Sequence, residues 1–134
     1  MKTILCVDDD PRAIRMVGRL LKGKPFNLVS VTDPTQVEEA LKTHDIDLIL
    51  LDVQMPQKSG LEVFDELKAA CGDYPILFLT GYPAAFYLDE PEKITRWKTG
   101  FVDGRTDILY KPYEARDLYD KIESLIQKEN PVTP

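Results

Sequence analysis

The sequence predicts an α/β domain: a doubly wound, five-stranded parallel sheet with five helices. Three observations carry this prediction. Short apolar runs alternate with helix-period segments five times along the chain, the pattern of strands joined by helical crossovers. The central run, Leu48-Ile49-Leu50-Leu51, is continuous rather than alternating, as in a strand buried on both faces. The chain has 134 residues, which suits one compact domain with one core.

Each element has its own signal. Thr3 to Val7 is an apolar run, followed by Asp8-Asp9-Asp10-Pro11. Asp10 is suited to cap a helix and Pro11 to open it. Ile14, Val17 and Leu21 share one face of that helix, and Gly23 closes it. Phe26 to Val31 reads as the second strand. Asp33-Pro34 repeats the cap-and-proline start, and the second helix carries Val37, Ala40 and Leu41. His44-Asp45 leads into the central strand, which ends abruptly at Asp52. The segment after Asp52 loses periodicity and contains Pro56 and Gly60, so it is a loop. Ser59 and Glu62 have capping-box spacing and start a third helix near Gly60, which buries Val63, Phe64 and Leu67 and ends at Gly72.

Pro75 to Thr80 is the fourth strand. Beyond the apolar stretch Tyr82–Leu88, Pro91 to Lys98 reads as a short helix with Ile94 and Trp97 on one side, and Asp103-Gly104 is a turn signal. Ile108-Leu109-Tyr110 is a brief fifth strand, broken by Lys111-Pro112. The last helix runs from about Glu114 to Lys128, with Leu118, Ile122, Leu125 and Ile126 in register. Tyr113 is a poor cap for it, and Glu114 in the first turn partly compensates through the helix dipole. Residues 1–128 form the domain, and 129–134 are a tail or the start of a linker.

Right-handed crossovers leave few topologies for such a chain. In the flavodoxin-like order 2-1-3-4-5, the first and third strands are neighbours and the sheet reverses direction between their carboxyl ends. Asp8 and Asp9 then face Asp52, with Thr80 ending the next strand and Lys111 the one after. Three acids, a hydroxyl and an amine line one rim.

Composition narrows the function. The net charge is -6, which argues against a nucleic-acid surface on this domain. No apolar stretch is long enough to span a bilayer, so no membrane contact is expected. The N-terminus lacks the features of a secretory signal, which places the chain in the cytoplasm. Cys6 and Cys71 lie in apolar segments and read as buried free thiols. The acids lack the spacing of an EF-hand, and there is no G-x-G-x-x-G for a dinucleotide.

Three carboxylates close together either hold protons or surround a cation. An all-oxygen, partly open site suits Mg²⁺. Lys111 adds a mobile point charge suited to a phosphoryl group. Together with the hydroxyl of Thr80, this set suits covalent phosphorylation of a carboxylate.

Taken together, Val7-Asp8-Asp9, Asp52 with Met55-Pro56 and Gly60, Thr80-Gly81 and Lys111-Pro112-Tyr113 resemble the receiver domain of two-component response regulators, a CheY-like fold, over essentially the whole chain. The resemblance implies that Asp52 is the phosphoacceptor. It also implies Mg²⁺ held by Asp9 directly, by Asp8 mostly through water, by Asp52 and by the Gln54 carbonyl. Thr80 would move toward the phosphoryl group, Lys111 would contact it, and the Lys111-Pro112 bond would be cis. A sensor histidine kinase or phosphotransfer protein would donate the phosphoryl group, and a downstream effector not identifiable from the sequence would read the result. The chemistry would be self-catalysed transfer and hydrolysis, not enzymatic turnover. A homodimer through the fourth and fifth helices is compatible with the fold, though no named residue supports it.

The sequence departs from the family in two places. Ile108 stands three positions before the lysine, where an aromatic switch residue is common, and Tyr110 is expected on the wrong strand face to replace it. The span from Thr80 to Lys111 is longer than usual, which suggests a remodelled output face with Phe86, Tyr87 or Trp97 either exposed or filling core. Tyr82, two beyond the threonine, is expected to shield the phosphoryl group from water. The rival readings are a receiver-like interaction module that does not switch, for which Ile108 speaks, and a metal-dependent hydrolase, which lacks a second general acid.

Overall fold

The computed structural model describes residues 1–56, 58–67, 74–81 and 105–127. Five strands, β1 (Lys2–Val7), β2 (Phe26–Val31), β3 (Leu48–Asp52), β4 (Ile76–Thr80) and β5 (Thr106–Tyr110), form one sheet. Its order is β2-β1-β3-β4-β5 and every pairing is parallel, as expected. Four α-helices are described: α1 (Pro11–Leu20), α2 (Val37–Thr43), α3 (Gly60–Glu66) and α4 (Ala115–Gln127). The predicted Pro91–Lys98 helix lies outside the described residues. So do Gln57, Cys71, Gly72, Tyr82, Phe86, Tyr87, Trp97 and the 129–134 tail.

Side-chain alternation along the buried strands builds two cores. Leu5 and Val7 of β1, with Ile49 and Leu51 of β3, pack toward Val37, Val63, Phe64 and Leu67 of the α2–α3 side. Ile4, Cys6, Leu48 and Leu50 point the other way, toward Val17 of α1 and Leu118, Ile122 and Leu125 of α4. All five residues of β3 are buried, and so are all five of β4. This accounts for their unbroken apolar runs: each residue has a core to enter on its own side. Phe64 stacks at a tilt on Phe78, with ring centroids 5.6 Å apart. Burying one such side chain is worth about 1.5–3 kcal/mol, so α3 is held to the sheet mainly by Val63, Phe64 and Leu67.

The helix starts follow their signals, with two differences. Asp10 caps α1 by accepting from the Arg12 N–H at 2.9 Å, and Gly23 follows the helix with φ +83°, a conformation suited to glycine. Ser59 caps α3 by accepting from the Glu62 N–H at 3.2 Å. At Asp33 the carboxylate accepts from both the N–H and the hydroxyl of Thr35, at 2.9 and 2.7 Å. Pro34–Gln36 forms a 3₁₀ turn there, and the α-helix proper starts only at Val37. At α4 the expected role of Glu114 is corrected: it precedes the helix, and its carbonyl accepts the Leu118 N–H. Asp117, three residues on, accepts the Glu114 N–H at 3.4 Å, the return half of a capping box.

Among the described residues, no helix is long and apolar enough to cross a membrane.

Candidate functional site

The parallel sheet aims the ends of β1, β3, β4 and β5 at one rim. Asp52 is the last residue of β3 and is 7% exposed; Asp8 follows β1 and is 4% exposed. The β1–β3 register, Val7 against Leu51, sets the two acids side by side. One carboxylate oxygen from each of Asp8, Asp9 and Asp52 lies within 4.8 Å of the others. The sequence-predicted acid cluster therefore exists, and its donor set is oxygen only.

Lys111 sits between two of these acids. Its Nζ is 3.6 Å from Asp8 Oδ2 and 3.8 Å from Asp52 Oδ1. Its backbone N–H donates to the Thr80 carbonyl at 2.8 Å, which extends the β4–β5 ladder and fixes where the side chain leaves the sheet. The Lys111-Pro112 bond is cis.

Burial dominates the electrostatics. Asp52 is pushed up to about 6, first by loss of water, then by the charge of Asp8; Lys111, the Gln54 backbone N–H and, in the opposite sense, Asp9 modify this. Asp8 is raised as well, chiefly by burial, against which the Asp10 N–H on Asp8 Oδ1 at 2.9 Å and the Lys111 ammonium act. A pair of buried acids raised this way is short of positive charge. One lysine shared between them only partly supplies it. A divalent cation fits the donors and the deficit.

The remaining predicted residues fall as follows. Gln54 meets Asp52 through its backbone N–H. Thr80 is fully buried at the end of β4, and its hydroxyl donates to the Gly81 carbonyl at 3.3 Å. Apart from its chain neighbours, no described residue comes within 4 Å of where a Cβ on Gly81 would sit. Ile108 is half-buried and packs against the α2–α3 core. Tyr110 corrects an expectation: strand alternation puts it on the same face as Ile108, not the opposite one, where it is 53% exposed at the end of β5. Cys6 is a buried free thiol, pushed up to about 12 by burial and then by Asp8. Tyr82 lies outside the described residues.

Sequence reasoning used Gly60 as a loop signal, as the start of the third helix and as part of a motif. Its role here is steric. A Cβ at position 60 would collide with the Asp52 carbonyl oxygen, and would sit 2.8 Å from Val53 Cα and 3.0 Å from the Asp52 carbonyl carbon. The Gly60 N–H also donates to the Val53 carbonyl at 2.8 Å. A glycine after a proline-containing loop was the available signal, but nothing in the sequence gives the distance.

Comparison with known proteins agrees with this geometry. A sequence model of the response regulator receiver domain matches residues 4–123. The chain is 28% identical over 130 residues to the heme response regulator HssR of Staphylococcus saprophyticus, covering 97% of this chain and 54% of that protein. It is 31% identical over 130 residues to the transcriptional regulatory protein CpxR of Klebsiella pneumoniae, covering 97% and 51%. The chain thus spans about half the length of the curated relatives it matches. Among solved structures, it aligns with a response regulator receiver domain protein from Clostridium thermocellum at a TM-score of 0.78 and 21% identity, covering 99% of this chain and all (100%) of that one. An uncharacterised protein from Neptuniibacter caesariensis aligns at 0.80 and 25%, covering 96% and 89%.

Proposed function

The chain belongs to the response regulator receiver domain family, and from that premise we propose that Asp52 accepts a phosphoryl group from phosphohistidine on a sensor histidine kinase or phosphotransfer protein. The observation that carries this reading is one relationship: a buried strand-end carboxylate with a lysine ammonium 3.8 Å away and two further acids beside it. A carboxylate oxygen of Asp52 forms the new O–P bond. The N–P bond of the donor breaks, and its electron pair returns to the imidazole nitrogen. Lys111 neutralises charge on the incoming group, as an ammonium does best when it is already positioned. The Gln54 N–H holds the orientation of Asp52. Asp8, Asp9, Asp52 and the Gln54 carbonyl would hold Mg²⁺, which would supply the positive charge that the phosphoryl oxygens need in transfer.

Thr80 is the switching residue in this reading. Among the described residues its hydroxyl makes one bond, a long one to the Gly81 carbonyl, for which a phosphoryl group on Asp52 competes readily. Re-aiming it biases a pre-existing equilibrium of the rim, which a downstream effector reads. The reaction is confined to the chain's own aspartate, so the domain is a switch and not an enzyme acting on free substrate.

Ile108 favours a second reading, a receiver-like module that keeps the fold without switching. It offers no aromatic group to follow the threonine. Incubation with acetyl phosphate and Mg²⁺ followed by intact mass spectrometry separates the readings. A gain of one phosphoryl group, lost in Asp52→Asn, is expected. An unmodified wild-type chain would leave the non-switching module, and catalytic release of phosphate from other substrates would point to a hydrolase.

A further inference from the structure

The loop from Asp52 to Gly60 is tied to α3 by a side chain as well as by the backbone. Lys58 leaves the loop just before α3 and reaches along that helix. Its Nζ bonds both carboxylate oxygens of Glu66, the last residue of α3, at 2.7 and 2.8 Å. The lysine side chain is only 22% exposed. With Val37, Glu38, Val63 and Leu67 it lines a cleft of about 270 Å³ between α2 and α3. A lysine whose stem is covered and whose ammonium is at the surface packs as well as pairs.

The ends of the loop have anchors of their own. The Gly60 N–H is bonded to the Val53 carbonyl, Ser59 caps α3, and Met55 is buried in the α2–α3 core. Gln54 and Pro56, by contrast, are exposed. Gln54 is the residue that matters for the site: its N–H bears on Asp52, and its carbonyl is one of the ligands proposed for Mg²⁺. A carbonyl that must be ordered when the ion binds costs affinity, and one already in place does not. Lys58 is not among the charges that shift Asp52, so any effect it has on the rim passes through the loop.

We propose that Lys58 is a positioning residue for the Mg²⁺ site: its ion pair with Glu66 holds the loop after Asp52 against α3, so that the Gln54 carbonyl is in place before the ion arrives. This rests on the reading of Asp52 as a Mg²⁺-dependent phosphoacceptor and adds Lys58 and Glu66 to the residues that serve it. The sign of the effect separates this role from bare charge. As a charge alone, Lys58 repels the cation, so Lys58→Met would tighten Mg²⁺ binding and Glu66→Gln would weaken it. As the two ends of one strut, both residues strengthen binding, and losing either weakens it.

The test is a Mg²⁺ titration of the whole chain, with the Kd read from the amide resonances of Asp9 and Gln54. Lys58→Met and Glu66→Gln should each raise the Kd by about three- to fivefold, the reach of a partly exposed ion pair. The double variant should go no further than either alone. Lys58→Arg should restore most of the affinity. Glu62→Gln, which removes an acid whose charge reaches Lys58 without a bond, should leave the Kd near the wild-type value. In the metal-free chain, amide exchange at Gln54 and Gly60 should quicken in Lys58→Met. Modification by acetyl phosphate should slow at low Mg²⁺ and recover at saturating Mg²⁺, which damage to the fold would not do. Opposite movements of the Kd in Lys58→Met and Glu66→Gln, or no movement in either, overturn the proposal. Should Lys58→Met not fold, Glu66→Gln, at an exposed position, still decides: an unchanged Kd there is enough to overturn it. A wild-type chain that binds no Mg²⁺ would instead sink the reading of the site itself, and this inference with it.

Discussion

The backbone of Gly60 packs directly on the carbonyl group of Asp52, so that the last residue of β3 occupies the space a side chain on the first residue of α3 would need. The loop between them cannot relax outward, because the Gly60 N–H is tied to the Val53 carbonyl. The Asp52 side chain is therefore positioned by a contact that contains no side chain.

Gly60→Ala should accordingly disturb both stability and chemistry. The added methyl meets backbone, which cannot swing aside as a flexible side chain could. A loss of about 1–3 kcal/mol is expected, the usual range for overpacking, read as a lower urea midpoint with an unchanged slope. Modification of the surviving folded fraction by acetyl phosphate should also slow, because the Asp52 backbone must shift. A Gly60→Ala chain as stable as wild type would show that the loop accommodates the methyl group.

The buried acids should make the metal-free protein less stable as pH rises. Asp52 titrates near 3.8 when unfolded and about 6 when folded. Between those values the folded state holds the extra proton, so stability falls from about pH 4 to about pH 6 and then levels off. Asp8, raised in the same direction, adds to the slope. Asp52→Asn should flatten the slope and stabilise the metal-free chain near neutral pH by about 1–3 kcal/mol. Chelator-treated protein in urea melts across this pH range provides the check; a wild-type chain most stable above pH 6 would contradict it.

Much of this site was legible before any coordinates. Strand ends carry their residues to the rim because parallel sheets put every carboxyl end on one side, so Asp8, Asp52, Thr80 and Lys111 follow from counting strands. Caps were legible for the same reason: Asp10, Asp33 and Ser59 act within three residues of themselves. What failed was of other kinds. The same cap-and-proline pair opens an α-helix at Asp10 and a 3₁₀ turn at Asp33, and propensities do not resolve that. The face of Tyr110 was misjudged, although period-two alternation from Ile108 settles it. The sharing of Lys111 between Asp8 and Asp52, and the contact at Gly60, are distances between residues far apart in sequence, which no local pattern encodes.

Removing the lysine should expose how strongly it holds Asp52 in its charged form. Lys111 opposes the burial that raises Asp52, and it is the one cation in contact with both acids among the described residues. In Lys111→Met the Asp52 carboxyl should titrate above about 6, measured by the pH dependence of its carboxyl carbon shift. An unchanged titration would mean that water, rather than the ammonium, stabilises the charge.

Magnesium should stabilise the folded chain through the same acids. A ligand that binds only the folded state at a hundred times its Kd adds about 2.7 kcal/mol. The urea midpoint should therefore rise with Mg²⁺ in the wild type. It should rise much less in Asp9→Asn, whose residue belongs to the acid cluster but makes no contact with Lys111 among the described residues. An equal rise in both proteins would place the ion elsewhere.

Thr80 allows the switch to be separated from the chemistry. Thr80→Val keeps the shape of a fully buried residue and loses one 3.3 Å bond to the carbonyl of the half-buried Gly81. Stability should change by no more than about 1 kcal/mol. Asp52 should still be modified by acetyl phosphate, since the hydroxyl is not among the groups that bear on the Asp52 charge. The consequence of modification should differ. In the wild type, phosphorylation should shift amide resonances along β5 and at Lys111, whose N–H is bonded to the Thr80 carbonyl. In Thr80→Val those shifts should shrink while shifts at Gln54 and Asp8 persist. If the β5 shifts survive intact, the threonine does not carry the signal, and the half-buried Ile108 or the rim itself must couple Asp52 to the edge of the sheet.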